Sequence, residues 1–215
     1  MYVKDRMTKD PYAIQVTAGI TELMGLMREK NLKKVPVLDG EKVVGIVTSG
    51  DIEKVSPTKA TSLSVFEINY LLSRIKVKDA MSRNVYTISP DDLIDDAAVI
   101  MRANRINALP VVEDGALVGI ITESDLFDAL IDLLGAREKG TRFMVSTKDK
   151  LHVLAEISSI ISDRGVNIQH LAVVRHDENN SADLILRVDS INVEPILQEI
   201  ESRGYTISGV TKNRG

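Results

Sequence analysis

Apolar positions in the first half of the chain follow two spacings. Ile20, Leu23, Met24 and Met27 recur every three or four residues, the period of one helix face, and Thr17 stands where an N-cap would be. Lys34-Val-Pro-Val-Leu38 and Val43-Val-Gly-Ile-Val47 are short apolar runs of the kind that make buried strands, with Asp39-Gly40 between them as a turn. A short helix is expected after Val47. The same order then returns. Ser89 reads as an N-cap, with Pro90 at the first helical position and Asp91 and Asp92 in the first turn. Ile94, Ala97, Ala98 and Met101 form the inward face. Leu109-Pro-Val-Val112 and Leu117-Val-Gly-Ile-Ile121 are strands about the turn Asp114-Gly115, and a helix from Ser124 to Leu134 stops at Gly135. Each unit is therefore strand–helix–strand–strand–helix.

The two stretches align residue by residue. Val3/Val77, Lys4/Lys78, Asp5/Asp79, Met7/Met81, Met27/Met101, Arg28/Arg102, Pro36/Pro110, Gly45/Gly119, Thr48/Thr122 and Asp51/Asp125 all differ by 77 − 3 = 74 positions. A period of that length is too long for a solenoid unit. It predicts a duplicated module, packed about a pseudo-twofold axis, with a cleft between like halves that suits a small ligand.

Between the repeats, Ser56-Pro-Thr-Lys-Ala-Thr-Ser begins as a polar loop. Ser64 with Glu67 then makes a capping box for an amphipathic helix carrying Val65, Ile68, Leu71 and Leu72, expected to pack on the modules. Gly135 to Thr141 is polar and holds two glycines, marking a boundary. Beyond it come a strand Arg142–Ser146, a helix Leu151–Arg164 stopped by Gly165, a strand from Val166 to Arg175, and a turn at Asp177–Asn180. A strand Ala182–Val188, a helix of about Val193–Arg203 and a strand Tyr205–Val210 complete the order. This βαββαβ order predicts a ferredoxin-like layer. The expected fold class is α/β (α+β). The expected divisions are 1–55, first repeat; 56–74, loop and helix; 75–135, second repeat; and 140–212, the βαββαβ domain.

Composition narrows the function classes. Of 215 residues, 44% are hydrophobic and 27% charged, a globular mix that can bury a core. The net charge of −4 supplies no basic excess for neutralising phosphates, so neither nucleic acid nor a membrane surface is an expected partner. The absence of cysteine excludes disulfides, thiolate chemistry and Cys-based zinc sites. No apolar run approaches a membrane span and the first residues lack a signal peptide's apolar stretch, so no membrane insertion and a cytoplasmic location are expected.

The residues best placed for chemistry are Gly45-Ile-Val-Thr48-Ser-Gly-Asp51 and Gly119-Ile-Ile-Thr122-Glu-Ser-Asp125. Each run follows a strand and opens a helix. Glycine lets another group approach the backbone, free N–H groups at a helix start favour an anion, a Thr hydroxyl can bond phosphate or ribose, and an Asp carboxylate can accept from a vicinal diol. Thr-x-x-Asp is equally a capping box that a strand-to-helix junction would use for itself. Both readings stay open at this point.

The two units resemble a tandem pair of cystathionine-β-synthase (CBS) domains, a Bateman module, over roughly residues 1–135. The resemblance rests on Val3-Lys-Asp-Arg-Met7 and Val77-Lys-Asp-Ala-Met81, on Lys34-Val-Pro-Val37 and Ala108-Leu-Pro-Val111, and on both runs ending in Thr-x-x-Asp. It implies an adenosine-containing ligand in the cleft: AMP, ADP, ATP, NAD or S-adenosylmethionine. It assigns the ribose to Asp51 and Asp125 and ribose or phosphate contacts to Thr48 and Thr122. Adenine walls would come from Ile14, Val35 and Pro36 and from Ile88, Leu109 and Pro110, residues that serve equally as plain core. Residues of about 140–212 resemble an ACT domain, through Val153-Leu-Ala-Glu-Ile157, Gly165-Val-Asn-Ile168 and the βαββαβ order. That resemblance implies amino-acid binding at paired interfaces, with Asp149 and Asn167 as the positions to watch. This chain departs from the family's D-x-P-G-V-L loop: Leu151 stands for Pro and His152 for Gly. The whole arrangement, with the segment from Ser56 to Leu72, resembles the acetoin-utilisation protein B-like family.

Other signals point to structure. Asp91, Asp92, Asp95 and Asp96 suit the start of a helix. His152, His170 and His176 lack ligand spacing, and no metal is expected. Met7, Met24, Met27, Met81 and Met101 fall at core spacing. No Ser/His/acid set, P-loop or dinucleotide fingerprint occurs, so neither catalytic residues nor a catalytic cofactor are assigned. The expectation is a non-catalytic sensor, a homodimer as the family resemblance implies, that signals through the ACT domain or a protein partner. The alternative is a scaffolding subunit of a metabolic enzyme or transporter with degenerate ligand sites.

Overall fold

The computed structural model describes residues 1–56 and 64–214. The polar loop expected over 57–63 lies outside them. The chain divides into two units, Met1–Phe127 and Asp128 onward.

The first unit holds both repeats. Repeat one contains β2 (Ile14–Gln15), α1 (Ile20–Glu29), β3 (Lys34–Asp39), β4 (Lys42–Thr48) and α2 (Ser49–Val55). The helix α3 (Val65–Arg74) and the short α4 (Val77–Ala80) lead into repeat two, with α5 (Ile94–Asn104), β5 (Ala108–Glu113), β6 (Ala116–Thr122) and α6 (Glu123–Leu133). Before all of these, Val3–Asp5 forms a 3-10 turn and β1 (Thr8–Lys9) follows it. The two sheets run β2-β3-β4 and β1-β6-β5. In the first, β2 is parallel to β3 and β3 antiparallel to β4.

The opening segment of each repeat completes the other repeat. β1 pairs with β6, matching Thr8 to Ile120, and the equivalent Ser82 bridges Ile46. Val3 N–H donates to Asp92 O at 2.9 Å, and Val77 N–H donates to Ala18 O at 3.0 Å. Val3 is wholly buried in the core with Ile88, Met101, Leu109 and Ile121, while Val77 is wholly buried with Ile20, Leu23, Val35 and Val47. This exchange explains two departures from expectation. Thr17 does not cap α1, whose N-cap is Gly19, and Ser89 does not cap α5, whose N-cap is Leu93. The carbonyls of Val16 and Ala18, and of Pro90 and Asp92, are taken by the incoming segments, so these residues form turns, and the helices start only after the extended N-caps Gly19 and Leu93. Ser89 instead closes a turn, with Asp92 Oδ2 accepting from Ser89 N–H at 2.9 Å. Asp91 accepts from Lys4 Nζ at 2.7 Å.

The helix α3 forms where its capping box predicts: Glu67 N–H donates to Ser64 Oγ, and Glu67 Oε2 accepts from Ser64 N–H at 2.8 Å. Its Leu72 and Ile68 pack on the repeat-one core.

In the second unit, β7 (Gly140–Lys148), α7 (Val153–Ser162), β8 (Ile168–His176), β9 (Ser181–Val188), α8 (Glu194–Ser202) and β10 (Thr206–Asn213) give the βαββαβ order. The antiparallel sheet runs β10-β7-β9-β8. Alternate residues of β7 and β9, Phe143, Val145, Leu184, Leu186 and Val188, bury against Val153, Ile157, Ile160 and Ile161 of α7 and Ile196 and Ile200 of α8. Gly140 has φ +125°, and a Cβ there would strike the Val188 carbonyl, so only glycine fits the start of β7.

Candidate functional site

The strands β4 and β6 deliver Thr48 and Thr122 to the starts of α2 and α6. The first Thr-x-x-Asp run closes as a capping box, with Asp51 N–H donating back to Thr48 Oγ1, and in the second the carboxylate makes its half of the same arrangement. Asp51 Oδ2 accepts from Thr48 N–H at 3.0 Å and from Thr48 Oγ1 at 2.7 Å. Asp125 Oδ2 accepts from Thr122 N–H and Thr122 Oγ1, both at 2.7 Å. A carboxylate has about four lone-pair positions, and the inner oxygen of each Asp spends two. The outer oxygens differ. Asp51 Oδ1 accepts from Lys54 Nζ at 3.1 Å, whereas Asp125 Oδ1 has no hydrogen-bond partner among the described residues. Its two remaining positions match the two hydroxyls of a vicinal diol. Each Thr hydroxyl has committed its proton to the carboxylate, so what it can offer a ligand is a lone pair, fitted to a ribose hydroxyl.

Asp51 is 9% exposed and Asp125 half-buried. Burial is the largest single influence on the Asp51 carboxyl and pushes it up. The bonds from Thr48 and Lys54 together outweigh burial and hold it below the usual carboxylate range.

The expected adenine walls lie next to these motifs in the strand order. Ile14 pairs with Val37 and Ile88 with Val111. Ile14, Val35, Ile88 and Leu109 belong to the cores of their repeats. Pro36 and Pro110 are buried on the opposite strand face, in register with Ile46 and Ile120, where β4 meets β6. The glycines Gly45 and Gly119 are approached by thioethers: a Cβ at Gly45 would lie 2.5 Å from Met81 Sδ, and one at Gly119 would strike Met7 Sδ. These are the exchanged segments again.

Sequence reasoning passed over Lys34. It is half-buried, and its Nζ crosses from repeat one to donate to Asn107 O of repeat two at 2.8 Å. Burial lowers its ammonium pKa, Glu123 and Asp125 oppose that shift, and Lys33 adds to it. The available signal was a break in the repeat, since the position 74 residues on is Ala108. A concavity of about 510 Å³ also lies between the repeats, lined by Asp39, Lys42, Thr87, Val112 and Asp114. It sits at the hairpin turns, the opposite ends of β4 and β6 from Thr48 and Thr122.

In the second unit, Asp149 and Asn167 are not brought together. Asp149 follows the end of β7 that pairs with Ser181, and Asn167 precedes the end of β8 that pairs with Val188. The seven residue steps of β9 between those ends put them ~23 Å apart at the usual strand rise. Asp149 Oδ2 accepts from Arg175 Nε at 3.1 Å, and both line a concavity of about 780 Å³ with His152 and Leu151. Asn167 N–H donates to Asp189 Oδ1 at 3.0 Å. His152 caps α7 with φ +72°, so the left-handed turn is kept although an imidazole stands there. Among the described residues, no group of three or more His, Cys, Asp or Glu could hold a metal ion, and no helix is long and apolar enough to cross a membrane.

Comparison with known proteins accounts for both units. The CBS domain model matches residues 3–57 and 77–132, more than half of the chain, and the ACT domain model matches residues 141–204. An uncharacterized protein of Methanocaldococcus jannaschii is 34% identical over 155 residues, 61% of this chain and 92% of that protein. Homoserine O-acetyltransferase of Methanohalobium evestigatum is 33% identical over 127 residues, 58% of this chain and 23% of the enzyme. Inosine-5'-monophosphate dehydrogenase of Thermoplasma acidophilum is 32% identical over 162 residues, 75% of this chain and 28% of the enzyme. The match thus spans about a quarter of each enzyme's length. Among solved structures, AcuB from Vibrio cholerae, named for acetoin utilization, superposes with TM-score 0.52 at 28% identity, over 64% of this chain and 95% of that one. The CBS domain pair of protein MJ0100, solved with 5-methylthioadenosine and S-adenosyl-L-methionine, gives 0.51 at 28% identity, over 64% and 98%. The chain belongs to the CBS-domain family: it is a tandem CBS pair followed by an ACT domain.

Proposed function

We propose that this protein is a non-catalytic sensor that binds an adenosine-containing ligand in its CBS pair and passes the occupancy on through the ACT domain or a protein partner. The observation that carries the reading is the outer oxygen of Asp125, left with two acceptor positions beside a Thr lone pair at a helix start. The ligands of the MJ0100 pair, both adenosyl thioethers or sulfonium ions, support the ligand class. In this reading Ile14, Val35 and Pro36, with Ile88, Leu109 and Pro110, flank the base. Two copies pair, and a ligand acts by binding one arrangement of the protein better than another.

Thermal unfolding tests the proposal, with 5-methylthioadenosine, S-adenosylmethionine, AMP, ATP and NAD each added to millimolar levels. A ligand at ~100 times its Kd adds ~2.7 kcal/mol, a rise in Tm of roughly 5–10 °C for a chain of this size. No rise with any of the five defeats the reading.

The homoserine O-acetyltransferase and dehydrogenase matches favour a second reading, in which the pair is a scaffolding part of a metabolic enzyme. A scaffold keeps its partner when Asp51 and Asp125 are both changed to Ala, and a sensor loses its ligand response.

A further inference from the structure

The helix that begins at Thr122-Glu-Ser-Asp125 ends at Leu133, and its end is held by one side chain of the ACT sheet. His170, on β8, presents Nδ1 to the Leu133 carbonyl at 2.9 Å and Nε2 to Glu138 Oε2 at 3.0 Å. Gly135 (φ +58°) packs against the ring, and a Cβ there would overlap His170 Cδ2. We propose that His170 and Glu138 form a proton-operated latch that fastens the segment after α6 to the ACT sheet.

The argument is one of donors and acceptors. A carbonyl and a carboxylate can only accept. A neutral imidazole has one N–H, so it can satisfy one of them, whereas the doubly protonated ring donates to both. The charges around the ring make the carboxylate decisive. Arg187 is the register partner of His170 on β9 and is 5% exposed. Its Nη1 donates to Glu138 O at 2.8 Å, its Nε has no partner, and no ion pair to it occurs among the described residues. Arg142 continues the same row on β7. From the segment itself, Arg137 is engaged by Asp128 at 2.9 Å and lies 3.7 Å from Asp132. Glu138 is therefore the acidic group that balances a charged His170 beside a buried guanidinium. The closed arrangement, with both ring nitrogens donating at once, is available only to the doubly protonated ring. With the latch closed, the Leu133 end of the helix moves as part of the ACT sheet. With it open, the segment keeps its own turns and the bonds that Arg187 Nη1 and Asn213 Nδ2 donate to the Glu138 carbonyl. This inference does not depend on what the CBS pair binds.

Amide hydrogen exchange on the full chain tests it at Ala136 and Glu138, whose N–H groups bond within the segment to Ile131 O and Gly135 O. Between about pH 5.5 and about pH 8, after correction for base catalysis, protection at these two amides should fall ~10-fold in the wild type, the loss of one charge-assisted bond. His170→Gln, which has one N–H₂ donor group and does not titrate, should abolish the pH dependence. So should Glu138→Gln, which alters only a half-exposed side chain and spares the sheet. His152→Gln and His176→Gln should leave it intact. A pH-independent wild type, or the same dependence in Glu138→Gln, overturns the latch.

Discussion

Asp125→Asn separates the two duties of one carboxylate. In the protein Asp125 Oδ2 takes two bonds from Thr122, and Oδ1 faces away from them. The amide of Asn retains one oxygen, which can keep both Thr122 bonds. Its N–H₂ then occupies the outer position and can only donate. The cap loses charge but not connectivity, a cost of ~0.5–1 kcal/mol in stability. A diol loses two charge-assisted acceptors worth ~1.5–3 kcal/mol each, partly recovered because the amide can donate to a hydroxyl oxygen. The net loss is ~2–4 kcal/mol, or ~30- to 1,000-fold in Kd. Calorimetric titration with S-adenosylmethionine and with AMP measures it, and thermal unfolding of the same samples verifies the cap. An Asp125→Asn protein that binds both ligands within about threefold of the wild type would refute the assignment of Oδ1 to the ligand. Asp51→Asn is the internal comparison. Its outer oxygen is shared with Lys54, whose side chain is 77% exposed, and such an exposed ion pair contributes little to stability.

Gly119→Ala should cost ~1–3 kcal/mol, and more than Gly45→Ala, because a Cβ at Gly119 also comes within 3.2 Å of the Thr8 carbonyl, while the atoms nearest a Cβ at Gly45 belong to the flexible Met81 side chain. Chemical denaturation reads the difference, and equal losses would contradict the role given to Thr8. The lowered carboxyl of Asp51 supplies stability that is fully present above the unfolded value of about 3.9 and is lost as pH falls through its lower folded value. Asp51→Asn should therefore flatten the stability profile below about pH 4, and an unchanged acid limb would refute the shift. In the ACT domain, His152→Gly should stabilise by up to ~1 kcal/mol by relieving a left-handed side-chain clash. Gly140→Ala should prevent the domain from folding natively, seen as loss of near-ultraviolet dichroism or of dispersed amide resonances.

Much of this architecture could be read before any coordinates. Short apolar runs located β3, β4, β5 and β6, because β3 and β5 are buried on both faces, and period-3.6 spacing located α1 and α5, because one face of each is buried against a single core. The helix starts at Thr17 and Ser89 could not be read, since what delays those helices is a pair of carbonyl acceptors claimed by segments far away in sequence. The repeat identified Val3 and Val77 as equivalent, yet equivalence does not say which copy each one serves. The Thr-x-x-Asp runs were ambiguous for a different reason. Capping and ligand binding use the same carboxylate, and only the geometry separates an inner oxygen bonded to Thr from an outer one. Lys34 was passed over because a lone basic residue in a strand looks solvated until Asn107 is placed opposite it. In the ACT domain, the change of glycine to His152 was plain, but the survival of the left-handed turn depends on backbone angles that a residue's identity only biases.

The traded ends of the two repeats have a consequence for synthesis. When repeat one has emerged up to Val55, its own first strand has no docking place, and the wedge that will fill its core, Val77, is still unmade. Met1 to Lys9 must wait for Ile88 to Thr122. A half-length chain ended before α3 would carry one loose arm and one vacant slot of matching shape. Two such halves would satisfy each other by trading arms, so a pair of single-module chains and this fused molecule are the same solution to one packing problem.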